Sequence, residues 1–223
     1  MSKKATAWVS RPNGTIAELT SEGPGEVVDC NASDLSVGAD GTVWIVTTDP
    51  IGAEEGETPG SVIQFKKPKG KKWDSIKAQG ATRIEGGPKG AKAYIVDGNG
   101  SVLSVDTKGK TELLSETGFA REVSVGVDGV VWVIGAQGVL GGASVSFYKE
   151  GNWQTLPEEV TATKIGAANN GVAYVCNAFG HLGKVDTEGN YEQLTGENFA
   201  REVSVDTEDN VWVITYEHDT EGG

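Results

Sequence analysis

The segment Phe119-Ala-Arg-Glu-Val-Ser-Val125 recurs letter for letter at Phe199-Ala-Arg-Glu-Val-Ser-Val205, an offset of 80 residues. Tyr94 and Tyr174 stand in matching segments at the same offset. A fixed period of this kind indicates an architecture built from tandem structural units, and the predicted boundaries between units follow from it. The chain is therefore predicted to consist of repeats.

Each of these tandem units is itself a pair of shorter repeats. Trp44, Trp132 and Trp212 each follow a Ser-Val segment and a short polar turn. The segments Ala93-Tyr-Ile-Val96 and Ala173-Tyr-Val-Cys176 hold the same place in the alternate repeats. These aromatic positions recur roughly every 40 residues, a spacing typical of propeller blades.

Every repeat is predicted to be built of β-strands. Ser36-Val-Gly-Ala-Asp-Gly-Thr-Val-Trp44 has the pattern of a strand, a two-residue Asp-Gly turn and a second strand. Ser61-Val-Ile-Gln-Phe65 and Ser144-Val-Ser-Phe-Tyr148 supply a third strand, and Trp73 and Trp153 open a fourth. Four short strands per repeat, with no helical period, predict an all-β fold: a β-propeller of four-stranded blades.

The repeats divide the chain into blades of a single propeller domain. The predicted blades span 31–77, 78–116, 117–158 and 159–196, and a closing blade combines 197–223 with 1–30. The two chain ends together are short for two blades, so five blades are favoured and six are the alternative. A blade shared by the termini would pair the strand edges that otherwise stay open.

The net charge excludes several classes of partner. The chain has 223 residues, with 19 lysine and arginine residues against 32 aspartate and glutamate residues, giving a net charge of −13. A surface of this sign repels phosphates, so neither nucleic acid nor an anionic membrane is an expected partner. No apolar run of about 18 residues occurs, so no membrane insertion is expected.

The N-terminal segment and the cysteines suggest a compartment. The stretch Met1-Ser-Lys-Lys-Ala-Thr-Ala-Trp-Val-Ser10 lacks the apolar core of a secretory signal. The two cysteines, Cys30 and Cys176, do not form a disulfide framework and fit a reducing environment. We expect a protein that is cytoplasmic or secreted by a non-classical route.

The repeats resemble those of the tectonin family. Segments 32–44 and 120–132 share its pattern of Ser-Val-Gly, a short turn and Val-Trp, and Phe147-Tyr-Lys-Glu-Gly-Asn-Trp153 continues it with an aromatic strand and a Trp-bearing strand. The resemblance covers essentially the whole chain, although alternate copies carry Tyr94 or Tyr174 where the family has Trp. It implies a β-propeller lectin that recognises foreign glycans, among which O-methylated sugars suit an aromatic pocket.

Sugar recognition calls for an aromatic face against the pyranose C–H groups and fixed polar groups for the hydroxyls. The repeats supply aromatic candidates at Trp44, Trp132, Trp212, Tyr94, Tyr174, Trp73 and Trp153. They supply polar candidates at Arg121, Arg201, Glu122 and Glu202. The turn residues Asp40, Asp128 and Asp209 are further polar candidates, although such aspartates more often serve the turn than a ligand. Two alternatives stay open: the strand tryptophans form core between blades, and the arginines pair with Glu122, Glu202 or a neighbouring blade.

The predicted function is a multivalent lectin with repeated saccharide sites. The alternative is an intracellular protein-interaction propeller without a sugar site, and self-association fits either. No enzyme is predicted, because His181 and His218 have no partner motif and no nucleophile or phosphate-loop motif occurs. No cofactor and no metal site is predicted, since the acidic turns at 186–190 and 206–210 lack the spaced oxygens of an EF-hand.

Overall fold

The computed structural model describes residues 6–11, 13–20, 23–48, 62–76, 80–88 and 92–216. The described residues form antiparallel β-sheets and contain no helix, so the predicted all-β class is confirmed. By its internal contacts the chain divides into two compact units, Met1–Phe119 and Ala120–Gly223. Residues 1–5 and 217–223 of the predicted closing blade, with His218, lie outside the described residues.

The first unit holds three antiparallel sheets. Sheet 1 has the strands β1 (Thr6–Ser10), β2 (Thr15–Thr20) and β3 (Gly23–Asp29). Sheet 2 has β4 (Ala32–Val37), β5 (Val43–Thr47), β6 (Val62–Lys66) and β7 (Asp74–Ile76). Sheet 3 has β8 (Ala81–Gly86), β9 (Lys92–Asp97), β10 (Val102–Asp106) and β11 (Thr111–Leu113).

The second unit also holds three sheets. Sheet 4 has β12 (Ala120–Val125), β13 (Val131–Val139), β14 (Gly142–Lys149) and β15 (Asn152–Thr155), with the short β16 (Thr161–Ala162) paired to β14. Sheet 5 has β17 (Lys164–Ala167), β18 (Val172–Cys176), β19 (Leu182–Asp186) and β20 (Tyr191–Gln193). Sheet 6 has β21 (Ala200–Val205) and β22 (Val211–Thr215).

Sheets 2 to 5 each run through four strands in sequence order, as in a meander. Each lies within the residues of one sequence repeat, apart from β16. Sheet 1 belongs to the first unit and sheet 6 to the second, and the strands of each pair with one another. The number of blades and the blade shared by the termini remain predictions.

The Asp-Gly hairpins have a longer loop than the two-residue turn expected from the sequence. The amide of Gly38 donates to the carbonyl of Thr42 at 2.8 Å, which leaves residues 39–41 as a three-residue loop. Gly41 occupies the left-handed region at φ 83°, where a side chain would be strained. The carboxylate of Asp40 accepts the amide of Thr42 at 2.9 Å, so aspartate and glycine both serve the turn.

A tryptophan on the second strand anchors the core of sheets 2 and 4. Trp44 packs against Phe65 of β6 with ring centroids 5.1 Å apart, and Trp132 packs against Phe147 of β14 at 5.2 Å. Such aromatic pairs contribute about 0.5–1.5 kcal/mol beyond the area they bury. Residues of sheet 3 complete the core around Trp44, and residues of sheet 5, including Ile165, complete the core around Trp132.

Candidate functional site

Two of the three strand tryptophans are inaccessible to a ligand. Trp44 and Trp132 are 0 % exposed. Their indole Nε1 atoms are buried and have no hydrogen-bond partner among the described residues. A sugar could reach either ring only if the core opened. Trp44 and Trp132 therefore fit the alternative in which the strand tryptophans form core.

The third copy of this tryptophan is exposed. Trp212 is 65 % exposed, and its Nε1 donates to Oδ2 of Asp206 at 3.2 Å. Asp206 also accepts the backbone amides of Glu208 and Asn210, each at 2.9 Å. Burial raises the pKa of Asp206, but hydrogen bonds from Asn210, Glu208 and Trp212 outweigh it and hold the pKa below its usual range.

The two tyrosines of the alternate repeats are half-buried. The ammonium of Lys92 lies 5.4 Å from the ring centroid of Tyr94, a cation–π contact. Tyr174 packs against the cluster of Cys176, Leu182 and residues of sheet 6. Each ring therefore has one side against protein.

The outer-strand tryptophans pack against other aromatic rings. Trp73 meets Trp8 edge to face with centroids 6.1 Å apart, and its buried Nε1 lacks a hydrogen-bond partner among the described residues. Trp153 meets Tyr148 across β14 and β15 at 5.2 Å. Both are half-buried, so each presents part of its ring to solvent.

The two arginines lie at β-bulges. The pairing of β12 with β13 shifts register between Ala120 and Glu122, and the pairing of β21 with β22 shifts between Ala200 and Glu202. A bulge turns the inserted side chain away from the regular alternation. Arg121 and Arg201 are exposed at these bulges, and Arg121 donates to the carbonyl of Ala162 at 3.3 Å.

The two glutamates share a lysine that the sequence analysis missed. Nζ of Lys164 lies 3.6 Å from Oε2 of Glu122 and 3.2 Å from Oε2 of Glu202. These residues belong to the first strands of sheets 4, 5 and 6. A sequence signal was available, since the residue two places after alanine in the first strand alternates in charge: Asp34, Arg83, Glu122, Lys164 and Glu202. Within the second unit, Lys164 thus joins sheets 4, 5 and 6 through its two ion pairs.

A polar cleft lies where the hairpin turns of sheets 4 and 5 meet. Its volume is about 480 Å³, and it is lined by Asp128, Gly129, Val130, Lys149, Glu150, Asn170 and Gly171. Oδ2 of Asp128 accepts the amide of Gly171 at 2.6 Å and so joins the two turns. Of the residues that the sequence analysis singles out, Asp128 lines this polar cleft, and the tryptophans, tyrosines, arginines and glutamates do not. Turn residues from three separate hairpins form it, and their sequence spacing does not predict that they meet.

Large apolar side chains are exposed at the opposite ends of these strands. We call Leu140, Phe179, Phe199 and Tyr216 the loop patch; their exposed fractions are 88 %, 45 %, 37 % and 42 %. Backbone hydrogen bonds join their loops. The amide of Ala178 donates to Gly141, that of Asn198 to Phe179 and that of Tyr216 to Phe199, at 2.8, 2.9 and 3.2 Å. Backbone hydrogen bonds thus link the loops that carry the loop patch across sheets 4, 5 and 6.

Among the described residues, no group of three or more His, Cys, Asp or Glu side chains is placed to hold a metal. Cys30 and Cys176 are buried and unbridged. Burial, with a smaller effect from Glu202, raises the pKa of Cys176 to about 12, which suppresses its thiolate. No helix in the described part of the chain is long and apolar enough to cross a membrane.

Comparison with known proteins bears on the fold. No protein-family model matches the chain, and no curated protein sequence matches it. The chain is similar to a solved structure of YCF48 bound to D1 peptide, with 19 % identity, a TM-score of 0.61 and coverage of 95 % of this chain and 72 % of that one. YCF48 is a β-propeller. At this identity the likeness shows the fold alone, and the predicted β-propeller is confirmed.

Proposed function

We propose that this chain is a protein-interaction propeller and that the loop patch is its contact surface. The observation that carries the proposal is that hydrogen-bonded loops of three successive sheets expose four large apolar side chains, Leu140, Phe179, Phe199 and Tyr216. Exposed apolar groups gathered on one surface mark interaction sites in folded proteins. A propeller of similar fold solved with a bound peptide supports a binding role.

The physical chemistry of the loop patch favours a protein partner over a sugar. Full burial of a Leu or Phe side chain contributes about 1.5–3 kcal/mol, so covering several such groups supports stable association. Leu140 stands at the tip of the hairpin between β13 and β14, where it can enter a partner's pocket. With a chain charge of −13, a basic rim on the partner would speed association.

A variant pair tests this proposal. The double variant Leu140→Ser, Phe179→Ser removes two side chains of the loop patch, whereas Leu113→Ser removes an exposed leucine of the first unit. We expect proteins that co-purify with the intact chain from its source cells to be retained by Leu113→Ser and lost by the double variant. Retention of the same partners by all three proteins would contradict the proposal.

The second candidate function is the multivalent lectin of the tectonin type, and the polar cleft is the observation that favours it. Asp128, Lys149, Glu150 and Asn170 bring carboxylate, ammonium and amide groups to one cavity. Such groups bind sugar hydroxyls, and exposed Trp212 offers an aromatic face elsewhere. Both candidates are binding functions that need no cofactor and no catalysis.

A glycan array that includes O-methylated sugars tests this candidate. A lectin that uses the polar cleft would bind one class of glycan, lose it on Asn170→Ala and keep it on Asn99→Ala, which alters an exposed turn asparagine of sheet 3. Agglutination of cells that a free sugar inhibits would show that one chain or assembly holds several saccharide sites. Absence of any glycan signal from the folded protein would remove this candidate and leave the protein-interaction proposal in place.

A further inference from the structure

One turn of sheet 5 lies at the centre of the loop patch. It spans residues 177–181, between β18 and β19, and we call it the Asn177 turn. The amide of Ala178 donates to the carbonyl of Gly141 in the neighbouring hairpin at 2.8 Å. On the other side, the carbonyl of Gly180 accepts the amide of Phe199 at 3.0 Å. The conformation of the Asn177 turn therefore determines how the side chains of the loop patch are arranged.

The side chain of Asn177 holds this turn closed. Its Oδ1 accepts the amides of Phe179 at 3.0 Å and of His181 at 3.1 Å. Because Oδ1 serves these two donors, the side-chain amide has a defined orientation, and its Nδ2 lies 3.2 Å from Nδ1 of His181. Rotating the side-chain amide would place its N–H groups against two backbone N–H groups, so Nδ2 remains the donor to the ring.

The hydrogen bond to the ring requires a neutral imidazole. Since Nδ2 of Asn177 can only donate, Nδ1 of His181 accepts, and the ring proton is on Nε2. An imidazolium has protons on both nitrogens and cannot accept, so protonation replaces the hydrogen bond by a contact between two donors. Histidine ordinarily changes charge between pH 5 and 8. The hydrogen bond therefore stabilises the turn at the upper end of this range and is lost as the pH falls through it.

The matching turn of sheet 3 forms the same hydrogen bonds without a histidine. At the offset of 80 residues, Asp97 stands in the place of Asn177, and Ser101 stands in the place of His181. Oδ1 of Asp97 accepts the amides of Asn99 at 2.9 Å and of Ser101 at 2.8 Å. This turn therefore closes in the same way, but it has no group that ordinarily titrates near neutral pH.

We propose that His181 is a pH-sensitive switch of the loop patch, whose protonation opens the Asn177 turn and weakens binding of the protein partner. The inference rests on the proposed function, because it concerns the regulation of the same surface. Phe179 is directly affected, since its ring centroid lies 6.1 Å from that of His181. A Cβ on Gly141 would lie 3.3 Å from the ring of Phe179, so this ring packs against the hairpin that carries Leu140.

His181 is the group at this turn that changes charge near neutral pH. The hairpin of residues 135–142, which packs on the turn, has no charged residue. The other elements that pack on the turn or lead into it carry the titratable residues Lys164, Cys176, Glu197, Arg201, Glu202 and Tyr216. Lys164 and Glu202 pair with each other. Lysine, arginine and glutamate ordinarily stay charged, and tyrosine and a buried cysteine stay neutral, between pH 5 and 8.

Amide hydrogen exchange of the full chain tests the switch without a partner. We correct the measured rates for the intrinsic pH dependence of exchange. From about pH 8 to about pH 5.5, we expect the protection of the Phe179 and Phe199 amides to fall about fivefold, as one hydrogen bond is lost. The matching amides of Asn99 and Phe119 in the first unit are internal controls and should keep their protection.

Two substitutions copied from the turn of sheet 3 isolate the effect of the histidine. His181→Ser removes the titrating group, so protection at Phe179 should no longer depend on pH. Asn177→Asp gives the ring a carboxylate, which accepts from a protonated Nδ1 and attracts the imidazolium, so protection at Phe179 should rise in acid. Both new residues occur at the matching positions of a closed turn in the same chain, so they suit this backbone.

The same variants test the regulation of binding. We expect proteins that co-purify with the intact chain at about pH 8 to be released at about pH 5.5. His181→Ser should retain them at both pH values, which controls for any general effect of acid on the chain or on its partners.

Two exchange results would overturn the switch: equal protection of Phe179 at both pH values, and a pH dependence that persists in His181→Ser. Partners retained equally at both pH values, while the turn opens, would overturn its regulatory role and leave the proposed function in place. The lack of any co-purifying protein at either pH would instead contradict the proposed function, and the exchange of the Phe179 amide would still decide the switch.

Discussion

Sheets 4 and 6 start from the same sequence, and the residue that follows it differs: Gly126 in one and Asp206 in the other. A Cβ on Gly126 would lie 2.2 Å from the carbonyl oxygen of Ala168, because sheet 5 packs closely there. In sheet 6 the carboxylate of Asp206 instead holds the indole of Trp212 at 3.2 Å. The comparison teaches that the repeat sequence determines the strands, whereas the neighbouring sheet determines which side chains become core.

The largest expected effect comes from removing the tryptophan in each copy. Trp132→Ala should lower the free energy of unfolding by about 3–5 kcal/mol, because it leaves a cavity between sheets 4 and 5. Trp212→Ala should cost about 1 kcal/mol or less, mostly the hydrogen bond to Asp206. Urea denaturation followed by circular dichroism measures both. Equal losses would mean that Trp212 is buried like Trp132 and would break the comparison.

The next largest loss of stability is expected from a methyl group added at Gly126, which follows β12. Gly126→Ala should lower the free energy of unfolding by about 1–3 kcal/mol, since the added methyl group meets the backbone of sheet 5. Gly196→Ala is a control, because a Cβ there meets nothing within 4 Å. The measurement is the urea concentration at which each of the two variants is half unfolded. A Gly126→Ala protein as stable as the control would show that the sheets can separate at low cost.

Asp206 makes the stability of sheet 6 depend on pH. Its pKa in the folded chain is lowered, so the stability it contributes is present above the unfolded value of about 3.9 and is lost as the pH falls through the folded pKa. The wild type and Asp206→Asn should therefore differ at neutral pH and converge in acid. A stability difference that persists unchanged at the lowest pH would exclude this role for the carboxylate.

The smallest expected effect concerns the shared lysine. Lys164→Met removes the pairs with Glu122 and Glu202, which are partly exposed, so the loss should be about 0.2–1 kcal/mol. The loss should shrink in high salt, which screens such pairs. Lys184→Met on β19 serves as the matched lysine variant. A loss that salt does not alter would indicate packing of the lysine stem instead of charge pairing.

The sequence repeats predict the fold well because strand pattern and turn chemistry are local. Asp40 and Gly41 occupy the predicted hairpin, although its loop has three residues, since Gly38 pairs with Thr42 before the turn begins. Exposure was not predictable in the same way. Trp132 and Trp212 stand in the same four residues, Val-Trp-Val-Ile, and the packing of β14 and sheet 5 makes Trp132 part of the core.

The candidate sites depend even more on tertiary structure. The polar cleft joins Asp128, Lys149 and Asn170 from three hairpins, and the loop patch joins Leu140 to Phe179 through backbone contacts between sheets. Neither set has a characteristic spacing in the sequence. The ion pairs of Lys164 are easier to predict than either of these sites, because residues of opposite charge alternate at one position of the sequence repeat.

Amide hydrogen exchange of the two identical segments, 131–134 and 211–214, tests the central claim most directly. In the free chain, residues 211–214 should exchange much faster than 131–134, because β13 pairs on both sides and β22 pairs with β21 alone among the described strands. Equal protection of the two segments in the free chain would contradict the account.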